Sequence, residues 1–174
     1  MQYRTLLVDP PWQQQMVLGF NKTRNNRPKK LPYPTLSVAQ IGDLPIPDLA
    51  EANAHLWLWT TNQFLPDEFD LLKRWGFKYM IPIQWVKPSG CGAWWIHRSQ
   101  TLLFGYRGKL DMREKLKPNV LFAPARRHSQ KPEESFGLIE AVSHAPRLEM
   151  FARAPRLNWH SWGDEVVSDI ELKI

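Results

Sequence analysis

The sequence predicts an α/β fold, a mostly parallel sheet with helices on both faces, and two observations carry that prediction. Short apolar runs of strand composition (Leu6-Leu7-Val8, His55 to Thr60, Leu148 to Ala152) alternate with stretches of helical periodicity, and strands interleaved with helices pair in parallel through crossovers. A hydrophobic content of 43% in 174 residues is enough to fill one core, so one domain spanning 1–174 is expected.

Tyr3 to Val8 reads as the first strand. Gln13 to Pro32 is a long polar loop carrying Lys22, Arg24, Arg27, Lys29 and Lys30, and loops of that length are usually functional or disordered. Ser37 is placed to cap a helix from Val38 to Ile41. His55 to Thr60 is a second, largely buried strand. Phe69, Leu71, Leu72 and Trp75 mark an amphipathic helix from about Leu65, ended by Gly76.

Phe77 to Val86 is a strand interrupted at Pro82, Thr101 to Tyr106 is another, and Lys87 to Ser99 between them reads as a loop holding Cys91, Trp94, Trp95 and Arg98. Asn119 to Phe122 is short and extended. Pro132 to Val142 is a helix with proline in its first turn and Phe136, Ile139 and Val142 on one side. Leu148 to Ala152 is the last core strand.

The formal charge of +6 favours a polyanionic partner, nucleic acid first among them. A lone cysteine, Cys91, excludes an internal disulfide framework and fits a reducing compartment. No apolar stretch has the length of a membrane span and the amino terminus is not built like a signal peptide, so a soluble, cytoplasmic protein is expected. The histidines show no paired zinc spacing with one another or with Cys91, so no metal is expected. Nine tryptophans exceed the needs of a core. Trp94 and Trp95 fit stacking on bases, burial at a partner interface, or packing under their loop.

Asp9-Pro10-Pro11-Trp12 follows the first strand directly. A strand delivers the residues after it to the carboxyl edge of the sheet, where open α/β folds place their ligands. The two prolines fix φ and lack an N–H, which holds the local carbonyls in place. Asp9 and the Pro10 carbonyl can then each accept a hydrogen bond from an exocyclic amine while Trp12 stacks on the ring.

Read with Tyr33-Pro34-Thr35-Leu36-Ser37, Lys131-Pro132-Glu133, Leu148 to Arg153 and Trp159 through Glu165, in this order, the chain resembles the MT-A family of S-adenosylmethionine-dependent adenine-N6 methyltransferases. The resemblance runs from Leu6 to about Val166. It implies the Rossmann-like class I methyltransferase fold in permuted order, with the target-amine motif first and the cofactor strand late. It implies that Asp9, Pro10, Pro11 and Trp12 hold the adenine amine beside the methyl sulfonium, Asp9 serving the cofactor side as well. Lys131 would pair with the methionine carboxylate of S-adenosylmethionine. Phe151 and Arg153 would line its ribose and adenine side, and Asp164 and Glu165 would approach the adenosine. The chain departs from the family's longer members in having Ala154-Pro155-Arg156 where the mRNA-type enzymes carry His-Asn, and Asp164-Glu165 in place of an amide pair.

A base inside a duplex cannot reach such a pocket, so the target adenine must be flipped out or single-stranded. Trp12 and Tyr33 are the candidate clamps. The Lys22 to Lys30 cluster is expected to track phosphates, with Arg126 and Arg127 adding to the same path. The reading is adenine-N6 methyl transfer to nucleic acid, DNA slightly ahead of RNA. The alternative is a noncatalytic nucleic-acid-binding partner subunit. A homodimer or a protein partner that supplies specificity is compatible with either.

Overall fold

The computed structural model describes residues 1–13, 34–91, 94–126 and 130–172. In chain order the elements are β1 (Tyr3–Val8), α1 (Val38–Gly42), α2 (Ile46–Leu49), β2 (Ala50–Thr60), α3 (Leu65–Arg74), β3 (Lys78–Cys91), β4 (His97–Arg107), β5 (Val120–Phe122), α4 (Glu133–Val142), β6 (Arg147–Met150) and β7 (His160–Trp162). The strands form one seven-stranded sheet in the order β5-β3-β4-β2-β1-β6-β7. β1 pairs in parallel with β2 and β6, β6 with β7 and β3 with β5, while β4 runs antiparallel to both β2 and β3. The sheet is mixed and mostly parallel, a Rossmann-like arrangement in which the Asp9 strand is interior, flanked by β2 and by the Leu148 strand.

Alternation along the strands divides the interior in two. Leu6, Val8, Leu56, Leu58, Leu103, Leu148 and Met150 pack on one face with Ile41 of α1, Ile46 of α2 and Leu71 and Leu72 of α3. Leu7, Trp57, Trp59, Leu102 and Phe104 point to the other, where Phe136, Ile139 and Val142 of α4 cover them. A run such as Leu6-Leu7-Val8 is apolar at every position because both of its faces are covered.

Local chemistry places the helix ends. Ser37 caps α1 in a full capping box, its side chain accepting from the Gln40 N–H while the Gln40 side chain accepts from the Ser37 backbone. α3 has Asp67 in its first turn and Lys73 and Arg74 in its last, signs that suit the helix dipole. It stops at Gly76, whose φ of 77° glycine adopts without strain.

Four expectations need correction. Lys87 to Ser99 is mostly strand, because the register of β3 and β4 continues outward through Val86↔Ser99 and Cys91↔His97. Pro82 does not interrupt β3. It pairs opposite Leu103, and β5 joins the other side only from Gln84, so the missing N–H is tolerated. Pro132 is the N-cap of α4, one position before the first turn. The last core strand ends at Met150, since Phe151 takes a φ of 63° and turns the chain away. The short elements α2 and β7 are additional to those the sequence predicts. No helix among the described residues is long and apolar enough to cross a membrane.

Candidate active site

β1 is hydrogen-bonded on both sides, and its carboxyl end puts Asp9 on the rim of a cleft of about 420 Å³. The Pro-Pro turn is tied down beyond what its rings impose. The Trp12 N–H donates to the Pro10 carbonyl at 2.8 Å and the Leu36 N–H to the Pro11 carbonyl at 2.9 Å. The Pro10 oxygen is therefore already in use once, and an incoming amine would take its second lone pair.

Trp12 is not an open stacking face. Its ring is 5% exposed, stacked on Phe64 at 5.0 Å, with Nε1 donating to the Trp59 carbonyl at 3.0 Å. It lines the cleft only as part of the core that supports the prolines. The expected base clamp at this position is thereby corrected: one ring face is taken by Phe64 and the indole N–H by backbone.

Lys131 stands immediately before α4 and reaches Asp9 across the cleft, its Nζ 2.7 Å from Oδ1 and 2.6 Å from Oδ2. The ammonium also lies 5.4 Å from the centre of the Trp59 ring. The cation expected on the cofactor side therefore faces the carboxylate expected on the amine side.

Beyond β6 the wall is made by Phe151, Ala152 and Arg153, joined from β7 by Asp164 and Glu165. Gly163 allows this approach: a Cβ there would lie 2.4 Å from the Ala152 carbonyl oxygen and 2.7 Å from its nitrogen. The Phe151 ring meets Trp162 edge-on at 5.2 Å, and Arg153 Nε lies 3.8 Å from Glu165 Oε1. Phe151, Arg153, Asp164, Glu165, Lys131 and Asp9 thus line one cleft. Arg126, by contrast, pairs with Glu133 at 3.5 Å beside a smaller adjoining cavity. Tyr33, Lys22, Arg24, Arg27, Lys29, Lys30 and Arg127 lie outside the described residues.

Other lining residues escape the sequence reading. Thr61, just past β2, and Lys87, Cys91 and Gln100 of the β3–β4 hairpin complete the far wall, and no motif marks them, since Lys87 and Cys91 lie in a stretch that reads as a loop. Burial, then the Lys131 ammonium, lowers the pKa of Lys87. The adjoining cavity, about 100 Å³, is lined by Glu149, Glu133 and Arg156 together with Asp9, Lys131, Phe151 and Arg153. Burial pushes Glu149 up to about 7, against the pull of Arg156, with Asp9 and Glu133 adding to the rise. Arg156 is committed: its Nη1 is 2.5 Å from Glu133 Oε1 and its guanidinium lies 3.7 Å from the centre of the Phe136 ring. Among the described residues no cluster of histidine, cysteine or carboxylate side chains is arranged to hold a metal ion.

The MT-A70 family model matches residues 3–165. The chain belongs to the MT-A70 family. It is 27% identical to a "Putative N(6)-adenosine-methyltransferase MT-A70-like" of Medicago truncatula, over 94% of this chain and 26% of that protein. It is 28% identical to the human "N(6)-adenosine-methyltransferase catalytic subunit METTL3", over 94% of this chain and 28% of that one. It is 24% identical to the "Type II methyltransferase M.MunI" of a Mycoplasma species, over 94% of this chain and 78% of that protein. The chain spans about a quarter of the length of the plant and animal MT-A70 relatives it matches, and most of the length of the bacterial one. In this MT-A70 chain the match takes in every element that lines the cleft, from β1 to the turn after β7.

Proposed function

We propose that the chain transfers a methyl group from S-adenosylmethionine to the exocyclic N6 amine of adenine in nucleic acid, with DNA slightly ahead of RNA and the target base flipped out or single-stranded. The observation that carries this reading is that Asp9 and Pro10, consecutive residues at the carboxyl end of β1, both line the cleft. An exocyclic amine has two N–H donors, and the Asp9 carboxylate and the second lone pair of the Pro10 carbonyl are acceptors for them.

The remaining lining suits the cofactor by its donor set. Lys131 offers a cation for a carboxylate, Phe151 an apolar surface, and Asp164 and Glu165 acceptors for ribose hydroxyls or a ring amine. A cleft of about 420 Å³ falls within the range of small-molecule sites. When bound, S-adenosylmethionine supplies an electrophilic methyl. The chain's own residues orient and polarise. Hydrogen bonds to Asp9 and Pro10 favour a nitrogen whose lone pair is localised away from the ring, and Asp9 carries the proton charge that develops on that nitrogen. Lys131 fixes the carboxylate by both oxygens, which sets the direction of its remaining lone pairs.

The segment with the basic cluster lies between Gln13 and Pro34, the described residues on either side of it. Gln13 N–H donates to the Leu36 carbonyl at 3.2 Å, and Pro34 lines the cleft. Both ends of that segment therefore start from the rim, which supports a role for Lys22 to Lys30 in holding the phosphates of a strand whose base enters. The Asp9–Lys131 pair on the cleft speaks against the noncatalytic alternative, which has no use for it. The test is mass-spectrometric analysis of nucleosides in DNA and RNA from cells expressing the chain or its Asp9→Asn variant. N6-methyladenine rising with the first and not the second is expected, and no rise in either polymer overturns the reading.

A further inference from the structure

The β3–β4 hairpin builds one wall of the cleft through Lys87, Cys91 and Gln100. Its tip then exposes three consecutive large apolar residues, Trp94 at 77%, Trp95 at 81% and Ile96 at 63%. An apolar cluster this open is the kind of surface that marks a binding site. Trp94 follows the cleft-lining Cys91 by three residues, which keeps the tip's backbone within about 11 Å of the cleft wall. Next to the tip the two strands carry Lys87 and Arg98, and neither strand has a carboxylate along its length. Arg98 is held across the stem below the tip, its Nε donating to the Lys87 carbonyl at 3.0 Å.

Indole faces over a cationic stem are the means by which proteins hold unpaired nucleic acid without reading its sequence. The core of a protein–protein interface, by contrast, is depleted of charge. We propose that Trp94 and Trp95 stack on the nucleobases flanking the target adenine and keep the strand open while the adenine occupies the cleft. Removing a base from its stack leaves a neighbour's face bare, and an indole on that face takes the place of the departed base. The proposal rests on the nucleic-acid reading above.

Neither tryptophan belongs to the two cores, so Trp94→Ala with Trp95→Ala leaves the fold's packing in place. Binding of fluorescently labelled, adenine-containing single strands and duplexes, titrated by anisotropy over a salt series, is the experiment. The double variant is expected to bind at least about fivefold more weakly with an unchanged salt slope, because stacking is removed while the phosphate-binding cations stay. Phenylalanine at both positions recovers most of the affinity, and affinity for S-adenosylmethionine does not move. If the wild type binds and the double variant binds equally well, the stacking role is overturned while the substrate reading stands. If the wild type binds neither oligonucleotide and methylates no adenine, both fall. A wild-type dimer that the variant dissolves in sedimentation, with oligonucleotide binding intact, assigns the tip to a second copy of the chain and overturns the proposal.

Discussion

The Lys131 ammonium holds both oxygens of Asp9, at 2.7 and 2.6 Å, across 122 residues of chain. The residue proposed to hold the target amine and the cation proposed to hold the cofactor carboxylate are therefore one unit. Asp9→Ala is expected to abolish methyl transfer and also to change cofactor affinity, because it releases Lys131 from its carboxylate. Lys131→Ala is expected to weaken S-adenosylmethionine binding. In a double-mutant cycle followed by calorimetry and denaturation, the two substitutions should deviate from additivity by about 0.5–3 kcal/mol. Strict additivity refutes the coupling.

Trp12→Ala removes a nearly buried ring, its stacking on Phe64 and its bond to the Trp59 carbonyl. A loss of about 3–5 kcal/mol of stability is expected, read by chemical denaturation. A stable Trp12→Ala protein that loses only oligonucleotide affinity would restore the base-clamp role.

Gly163→Ala puts a methyl group against the Ala152 backbone, where nothing flexible can give way. The expected outcome is a loss of about 1–3 kcal/mol and weaker cofactor binding, as β7 is pushed from β6 and Asp164 and Glu165 retreat from the cleft. Unchanged stability and affinity would refute the close approach.

Two buried carboxyls set a pH dependence. Burial pushes Glu68 on α3 up to about 9, and Glu149 up to about 7, from an ordinary 4.5. Over that range the folded chain keeps protons that the unfolded chain releases, so stability falls as pH rises. The fall begins at the unfolded value and ends near 7 for Glu149 and near 9 for Glu68. Each group contributes a limiting slope of about 1.4 kcal/mol per pH unit within its window. Glu68→Gln, fully buried and uncharged at any pH, should flatten the decline between about pH 5.5 and about pH 8.5 in urea titrations. A profile as steep as the wild type's counts against a protonated Glu68.

Replacing Arg27, Lys29 and Lys30 together by alanine should weaken oligonucleotide binding and reduce its log–log salt slope by roughly one unit for each phosphate no longer held. Cofactor affinity should stay the same. Wild-type binding across the salt series would leave Arg126 and Arg127 as the place to look for the phosphate path.

The elements legible in the sequence are those whose own residues state their environment. Leu6-Leu7-Val8 and Leu56 to Trp59 are apolar on both faces because both faces are covered. Ser37 and Gln40 spell out a cap, and Gly76 a stop. What is not legible depends on partners far along the chain. β7 is three residues, His160–Trp162, made a strand by pairing with β6. Lys87-Pro88-Ser89-Gly90 has the composition of a turn, yet is drawn into strand by the antiparallel register begun deeper in the core. The site follows the same division. Asp9 and Lys131 are visible as motif residues, whereas their pairing is not, and Gln100 and Lys87 acquire a place on the cleft only because the hairpin extends. Trp12 misleads because an aromatic beside a carboxylate reads the same whether its ring faces a ligand or Phe64.

The interior position of β1 has a consequence for the chain as it is synthesised. One neighbour, β2, begins at Ala50, but the other, β6, begins at Arg147. Until β6 has emerged, β1 has one neighbour at most and is an open edge with Leu6-Leu7-Val8 along it, a template for pairing with another nascent chain. A product truncated before Arg147 would therefore aggregate through the very strand that delivers Asp9, and yield in the cell would be limited by how quickly β6 arrives to cover it.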